Sequence, residues 1–194
     1  MARHRYSPLR KLLPVIASRD AIQANLQIRP EQAQDYGAIA TVHTRAFGQP
    51  DEAKLVEQIR HSNEYLSGLS LVAEVDAQVV GHILLSYGKI VGSETWLVLV
   101  LAPLGVLPDY QCQGIGRQLV NQGLQTARSL GNTLVTVLGN PSYYGRLGFE
   151  PAADYGLIHP FPVPAEAFQV NWLNRSSEIR GQLQYGSAFD SLVG

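Results

Sequence analysis

Apolar residues recur along this chain with two periods, that of a strand and that of a helix. Residues 25–29 (NLQIR) alternate apolar and polar, the pattern of a half-buried strand closed by Pro30. Pro30 also suits the start of a helix whose apolar positions are Ala33, Tyr36, Ile39, Ala40, His43 and Phe47, ending at Gly48. After Pro50, Leu55, Val56 and Ile59 form a narrow stripe among Asp51, Glu52, Lys54, Glu57 and Arg60, which predicts a surface helix. Residues 70–75 and 79–87 are β-rich runs joined by Asp76, Ala77 and Gln78, short enough for an antiparallel hairpin.

Residues 97–107 (LVLVLAPLGVL) are continuously apolar. The run is too short for a bilayer span, which takes roughly 20 residues, and reads as a strand buried on both faces. Pro103 deletes a ladder donor and Gly105 weakens pairing, so the strand is expected to bulge or splay there. A helix follows over residues 115–130, with Leu119, Val120 and Leu124 on its apolar face and Gly131 at its C-terminal cap. Residues 133–138 form a strand placed beside the central one by this helical crossover. In residues 140–149 (NPSYYGRLGF), Pro141 starts a short helix carrying Tyr143 and Tyr144, Gly148 caps it, and Phe149 opens the next strand. Four prolines fall within residues 151–164, with residues 161–164 a rigid surface loop, and residues 167–173 make the last strand.

Antiparallel strands followed by a parallel crossover predict an α/β (α+β) domain, residues 25–175. A basic N-terminal extension, residues 1–24, precedes it, and a polar tail, residues 176–194, packs back through Tyr185 and Phe189.

Composition narrows the function. The 194 residues carry 45% hydrophobic and 16% charged positions and a net charge of -1, a soluble globular balance that calls for neither nucleic acid nor a membrane surface. Arg3, Arg5, Arg10, Lys11 and Arg19 make only the N-terminus basic, as a solvated tail. Its apolar segment, residues 12–17, is broken by Pro14 and falls short of the roughly 7 to 15 residues of a secretory core, so a cytoplasmic protein is expected. Cys112 is the only cysteine, and the five histidines lack metal-site spacing, so no metal is expected.

The candidate chemistry lies at Gln111-Cys112-Gln113-Gly114-Ile115-Gly116-Arg117, a glycine loop between a strand and a helix N-terminus. Unpaired backbone N–H groups and the positive end of the helix converge there on an anion. A nucleoside-triphosphate loop requires Gly-Lys-Ser/Thr, but Gly116 is followed by Arg117 and Gln118. A dinucleotide fingerprint requires a third glycine where Leu119 stands.

What remains, Gln111-x-x-Gly114-x-Gly116 after a broken strand, resembles the acyl-CoA motif of the GNAT superfamily of N-acetyltransferases. The likeness runs from about residue 26 to about residue 173. It is greatest to bacterial acetyltransferases with sequences similar to LAPLGVLPDYQ before the loop and YYGRLGF after it. It implies a mixed, mostly antiparallel sheet of about six to seven strands, splayed at the central strand. Acetyl-CoA is implied as co-substrate, with its pyrophosphate on the backbone of Gln113, Gly114, Gly116 and Arg117 beside Gln111 and Cys112. Its pantetheine arm would lie along Leu104 and Val106, as though it were a missing strand, with Asn140 at the next turn, where it caps the short helix or contacts the cofactor.

By the same resemblance Tyr144, four residues before Gly148, would protonate the departing thiolate, which a phenol with pKa near 10 is able to do. Tyr143 reads as a packing residue. Attack by the amine is direct, and Cys112, in the pyrophosphate loop, is not the nucleophile. Residues 97–107 carry no carboxylate where some members of the family place a Glu; Glu74 and His82 are the candidate bases. The expected activity is acetyl transfer to an amine of a small molecule or protein, with a homodimer open to it. The missing carboxylate motivates an alternative, a non-catalytic acyl-CoA-binding regulatory module. Residues 47–65 and 160–164 are expected to wall the acceptor cleft.

Overall fold

The structure, a computed structural model, describes residues 19–175 and 179–192. Residues 1–18, with most of the basic extension, lie outside this range.

Among the described residues fourteen helices and strands follow one another as α1 (Arg19–Asn25), β1 (Leu26–Pro30), α2 (Tyr36–Phe47), α3 (Asp51–Arg60), β2 (Ser70–Val75), β3 (Gln78–Val91), β4 (Thr95–Val106), α4 (Ile115–Ser129), β5 (Leu134–Leu138), α5 (Pro141–Tyr144), β6 (Glu150–Pro151), β7 (Leu157–Ile158), β8 (Phe168–Trp172) and β9 (Gly181–Gln184). One sheet holds all the strands in the order β1-β2-β3-β4-β5-β8-β6, with β9 pairing β3 and β7. Neighbours are antiparallel except β4 with β5 and β7 with β9. The nine strands exceed the expected six to seven because β6 and β7 are two-residue pairings and β9 comes from the tail.

Three departures from the sequence reading have local causes. The last part of the extension forms α1, which buries Ile22 completely. Pro30 ends β1 instead of opening a helix; a short turn intervenes, in which the Asp35 carboxylate accepts from Gln32 N–H at 2.8 Å, and α2 begins at Tyr36. The tail after residue 178 adds β9 to the far end of β3, pairing Gln184, Leu183 and Gln182 with Lys89, Ile90 and Val91, where β2 no longer reaches.

Alternation along the strands sends the helices to opposite faces. A side chain at Gly81 on β3 would meet Leu119 and Ile115 of α4, whereas one at Gly105 on β4 would meet His43 and Val42 of α2. The stripe Leu55, Val56 and Ile59 of α3 is buried, as its spacing predicts. α4 ends with Gly131 at φ 81°, its N–H donating to Arg128 O and the Asn132 N–H to Ala127 O, a left-handed C-terminal cap.

Candidate active site

The sheet opens along the seam between β4 and β5. They pair in parallel only at Leu99 with Val135 and Val100 with Thr136, where Thr136 Oγ1 donates to Leu99 O at 3.1 Å. Past Val100, β4 keeps a partner on β3 alone. The register with β3 slips there by one residue, since Leu101 faces Leu85 but Leu104 faces Ile83. The extra length contains the cis Ala102–Pro103 peptide, so the bulge expected at Pro103 is present.

Gly105 has a different cause from the one its position suggests. It lies in register opposite His82, beyond the bulge, and its missing side chain makes room for the His43 imidazole. Pro103, not Gly105, belongs to the break.

Leu107 N–H donates to Val80 O at 2.8 Å, and peptide groups alternate along a strand, so the N–H and C=O groups of Leu104 and Val106 turn away from β3 toward the open seam. The Val106 carbonyl accepts from Gln111 Nε2 at 3.0 Å, which ties the glycine loop to the strand. The seam widens into a cleft of about 540 Å³, walled by Val100 to Leu104 on β4, by Leu138 and Gly139 on β5, and by Tyr144.

The glycine loop is built for close approach. Cys112, exposed at φ 60°, and Gly114, at φ 88°, turn the chain into α4. The first helical bond runs from Gln118 N–H to Gly114 O at 3.1 Å, so the N–H groups before it end in no helical acceptor and point outward beside exposed Arg117. α1 braces the loop from outside: Gln23 Nε2 donates to Gln113 O at 2.7 Å, and Gln118 Nε2 donates to Gln23 Oε1. Sequence reasoning left Gln23 in the extension because α1 carries one buried apolar residue and so shows no period.

Asn140 caps α5, its Oδ1 accepting from Ser142 N–H at 2.9 Å. The cap directs Tyr144 inward and Tyr143 outward. Tyr144 is 9% exposed, packs edge-on against Phe149 and lines the cleft. Burial and the neighbouring Tyr143 push its phenol above the ordinary range, so it is a protonated acid at neutral pH. Among the described residues its hydroxyl has no hydrogen-bond partner. Tyr143, 36% exposed, packs edge-on against Tyr144, and a Cβ added at Gly116 would lie 2.8 Å from its hydroxyl, which therefore sits over the first turn of α4.

Neither candidate base reaches the cleft. Glu74 lies on β2 and pairs with Arg29 of β1 at 2.6 Å, two strands from the seam. His82 is fully buried between the sheet and α2, where its Nδ1 meets His43 Nε2 at 2.8 Å and its Nε2 lies 2.9 Å from Ser70 Oγ and 3.4 Å from Glu31 Oε2. Glu31 also accepts from Arg60 at 2.9 Å and from Tyr65 Oη at 2.7 Å. Burial alone would raise its pKa, but the hydrogen bonds from His82, Arg60, Tyr65 and Ser70 hold it well below the carboxylate range. A carboxylate only accepts, so His82 Nε2 carries the proton, His82 Nδ1 accepts from His43 Nε2–H, and His43 Nδ1 keeps an unpartnered lone pair. Burial, with the neighbouring His82, lowers His43 to about 3. This network clamps α2 and α3 to the sheet.

The outer end of the cleft takes Phe47, Glu52 and Leu55 from the first expected wall and Phe161 from the second. The sequence reading missed the rest of it. His159 lines the cleft with its Nε2 at 2.9 Å from Tyr185 Oη, and Tyr185 and Phe189 of the tail close the outer side. Burial raises the Tyr185 phenol to about 12.

Among the described residues, no three His, Cys, Asp or Glu side chains are placed to hold a metal, and no helix is long and apolar enough to cross a membrane.

Comparison with known proteins gives the same picture at the level of a family. Residues 67–151 match the family model described as "Acetyltransferase (GNAT) domain". The chain is similar to the uncharacterized N-acetyltransferase YjhQ of Escherichia coli, 40% identical over 144 residues that cover 73% of this chain and 79% of the relative. The uncharacterized N-acetyltransferase YhbS of the same organism is 34% identical over 165 residues, 84% of this chain and 98% of the relative. Among solved structures, YhbS in complex with CoA superposes with a TM-score of 0.79 at 34% identity, covering 86% of this chain and 92% of that one. A GNAT family acetyltransferase from Brucella melitensis in complex with acetyl-CoA gives a TM-score of 0.71 at 32% identity, covering 85% and 98%.

Proposed function

This chain belongs to the GNAT acetyltransferase family, and on that premise we propose that it transfers the acetyl group of acetyl-CoA directly to an amine, with Tyr144 as the acid. The observation that carries the reading is the Tyr144 hydroxyl, protonated and with no hydrogen-bond partner among the described residues, in the seam where β4 parts from β5.

The groups around the seam fit the co-substrate. Outward-pointing N–H groups at the start of α4, beside Arg117 and Gln113, suit a pyrophosphate. The amide and carbonyl of Leu104 and the amide of Val106 suit the pantetheine arm, which would complete the pairing that β5 abandons. Gly114 leaves open space at the loop and Gly116 admits the Tyr143 hydroxyl, with Gln111 and Cys112 shaping the loop and Asn140 holding α5.

In the reaction, the amine nitrogen attacks the thioester carbonyl, a C–N bond forms and the C–S bond breaks. Tyr144 gives its proton to the departing sulfur, and the proton shed by the new amide nitrogen restores the phenol. The products are an N-acetylated amine and the free CoA thiol, with no acyl-enzyme and no oxidation change.

Isothermal titration with acetyl-CoA and a thiol-release assay over an amine panel test this. Tyr144→Phe is expected to keep acetyl-CoA affinity while turnover falls by about 100-fold or more, the usual size of a lost general acid. Absence of acetyl-CoA binding overturns the proposal, as does full turnover in Tyr144→Phe.

A further inference from the structure

The outer half of the cleft differs from the half next to the sheet. Phe47 and Phe161, 44% and 40% exposed, stand at its mouth, with Leu55 and Phe189 behind them. Glu52 is the one Asp, Glu, Lys or Arg among the described residues that line the cleft. Its carboxylate receives Gln49 Nε2 at 3.3 Å, and among the described residues it has no ion-pair partner, although Asp51 beside it is paired with Lys54 at 3.1 Å.

A single carboxylate in a cleft lined by aromatic rings is complementary to one positive charge on an apolar body. A polyamine or an amino sugar would bring further ammonium or hydroxyl groups against Leu55, Phe161 and Phe189, where nothing replaces their water.

We propose that the acceptor is a small primary monoamine carried on an aromatic or similarly bulky apolar body, its ammonium group captured at Glu52. This rests on the N-acetyltransferase reading and adds the substrate class to it. The ammonium releases one proton to bulk water at the open mouth of the cleft, and the neutral amine then attacks the thioester.

The test uses the full chain with acetyl-CoA and three probes, 2-phenylethylamine, spermidine and glucosamine. The kcat/KM for 2-phenylethylamine is expected to exceed the other two by at least about tenfold, the scale of one or two unpaired polar groups. Glu52→Gln is expected to raise KM for 2-phenylethylamine about tenfold, as for a lost charge-assisted hydrogen bond, with kcat within about twofold. Asp51→Asn, which removes a neighbouring charge already paired, is expected to leave KM unchanged. Titration of 2-phenylethylamine into the CoA-bound chain gives a readout independent of turnover, and Glu52→Gln should weaken that binding alike. Preference for spermidine or glucosamine, an unchanged KM in Glu52→Gln, or acetyl-CoA binding with no capture of 2-phenylethylamine overturns the substrate class. Failure to bind acetyl-CoA at all overturns the underlying acetyltransferase reading instead.

Discussion

A Cβ atom on Gly105 would lie 2.8 Å from Nδ1 of His43, so β4 and α2 meet at a position that admits only hydrogen. The contact fixes the imidazole, and through it the helix that supplies Phe47 to the cleft. Gly105→Ala is expected to force the ring off His82 and to cost about 1 to 3 kcal/mol, as for an overpacked core. Urea unfolding measures it; a midpoint equal to that of the parent would show that the ring gives way freely.

The same pair makes stability depend on pH. Burial holds both His43 and His82 neutral, His43 down to about 3, whereas an unfolded histidine titrates at 6.5. Below that value the unfolded chain binds more protons, so stability is complete above it and falls as pH drops toward the folded pKa. From pH 7 to pH 5, His43 alone is expected to remove roughly 2 kcal/mol. The interval lies above the range where Asp35 and Glu31, both lowered, begin to be protonated. Urea midpoints at the two pH values decide it, and equal midpoints would place charged imidazoles in the folded core.

Glu31 is the carboxylate on which His82, Arg60 and Tyr65 converge, and its side chain is 2% exposed while that of Arg60 is 7% exposed. Glu31→Gln takes from the guanidinium its buried charge partner and leaves it the exposed Glu57 carboxylate at 2.7 Å, which is expected to cost about 3 kcal/mol, the low end for breaking a buried pair. Differential scanning calorimetry is expected to show a lower Tm in the variant. A loss no larger than that of Lys54→Ala, whose exposed ion pair is worth roughly 0 to 1 kcal/mol, would mean that water reaches Arg60.

Tyr144 lies flat enough on Gly139 that a Cβ there would come within 2.9 Å of its Cδ2. Gly139→Ala is therefore expected to move the phenol without touching the glycine loop, lowering kcat by about tenfold or more, the scale of a misplaced reacting group, at unchanged acetyl-CoA affinity. Calorimetry and steady-state rates separate the two effects. Affinity lost in parallel with kcat would show that Gly139 belongs to the CoA site itself.

Local chemistry was legible in the sequence wherever one stretch of chain contains both cause and effect. Gln111, Gly114 and Gly116 mark a strand passing into a helix, Pro103 cannot donate to a ladder, and Asn140 before Pro141 makes a cap; each behaves in the structure as those residue types require. His82 misled because a histidine's role depends on what faces it, and Ser70, Glu31 and His43 come from three separate elements. Gln23 was illegible because a short helix with one buried apolar residue shows no period; Tyr185 and Phe189 were legible as tail residues that return to the domain, but not as part of the cleft wall, which depends on what they meet.

The sequence by itself determined the longer elements and the glycine loop, because backbone preference and spacing act along the chain, and its resemblance to the family singled out the tyrosine four residues before Gly148. Tertiary structure alone decided that β4 and β5 part after two paired positions, that Gly105 yields its side-chain space to His43, and that Glu52, Phe161 and Phe189 line one cleft. Those outcomes are set by packing between segments distant in sequence, and no periodicity within either segment encodes the space between them.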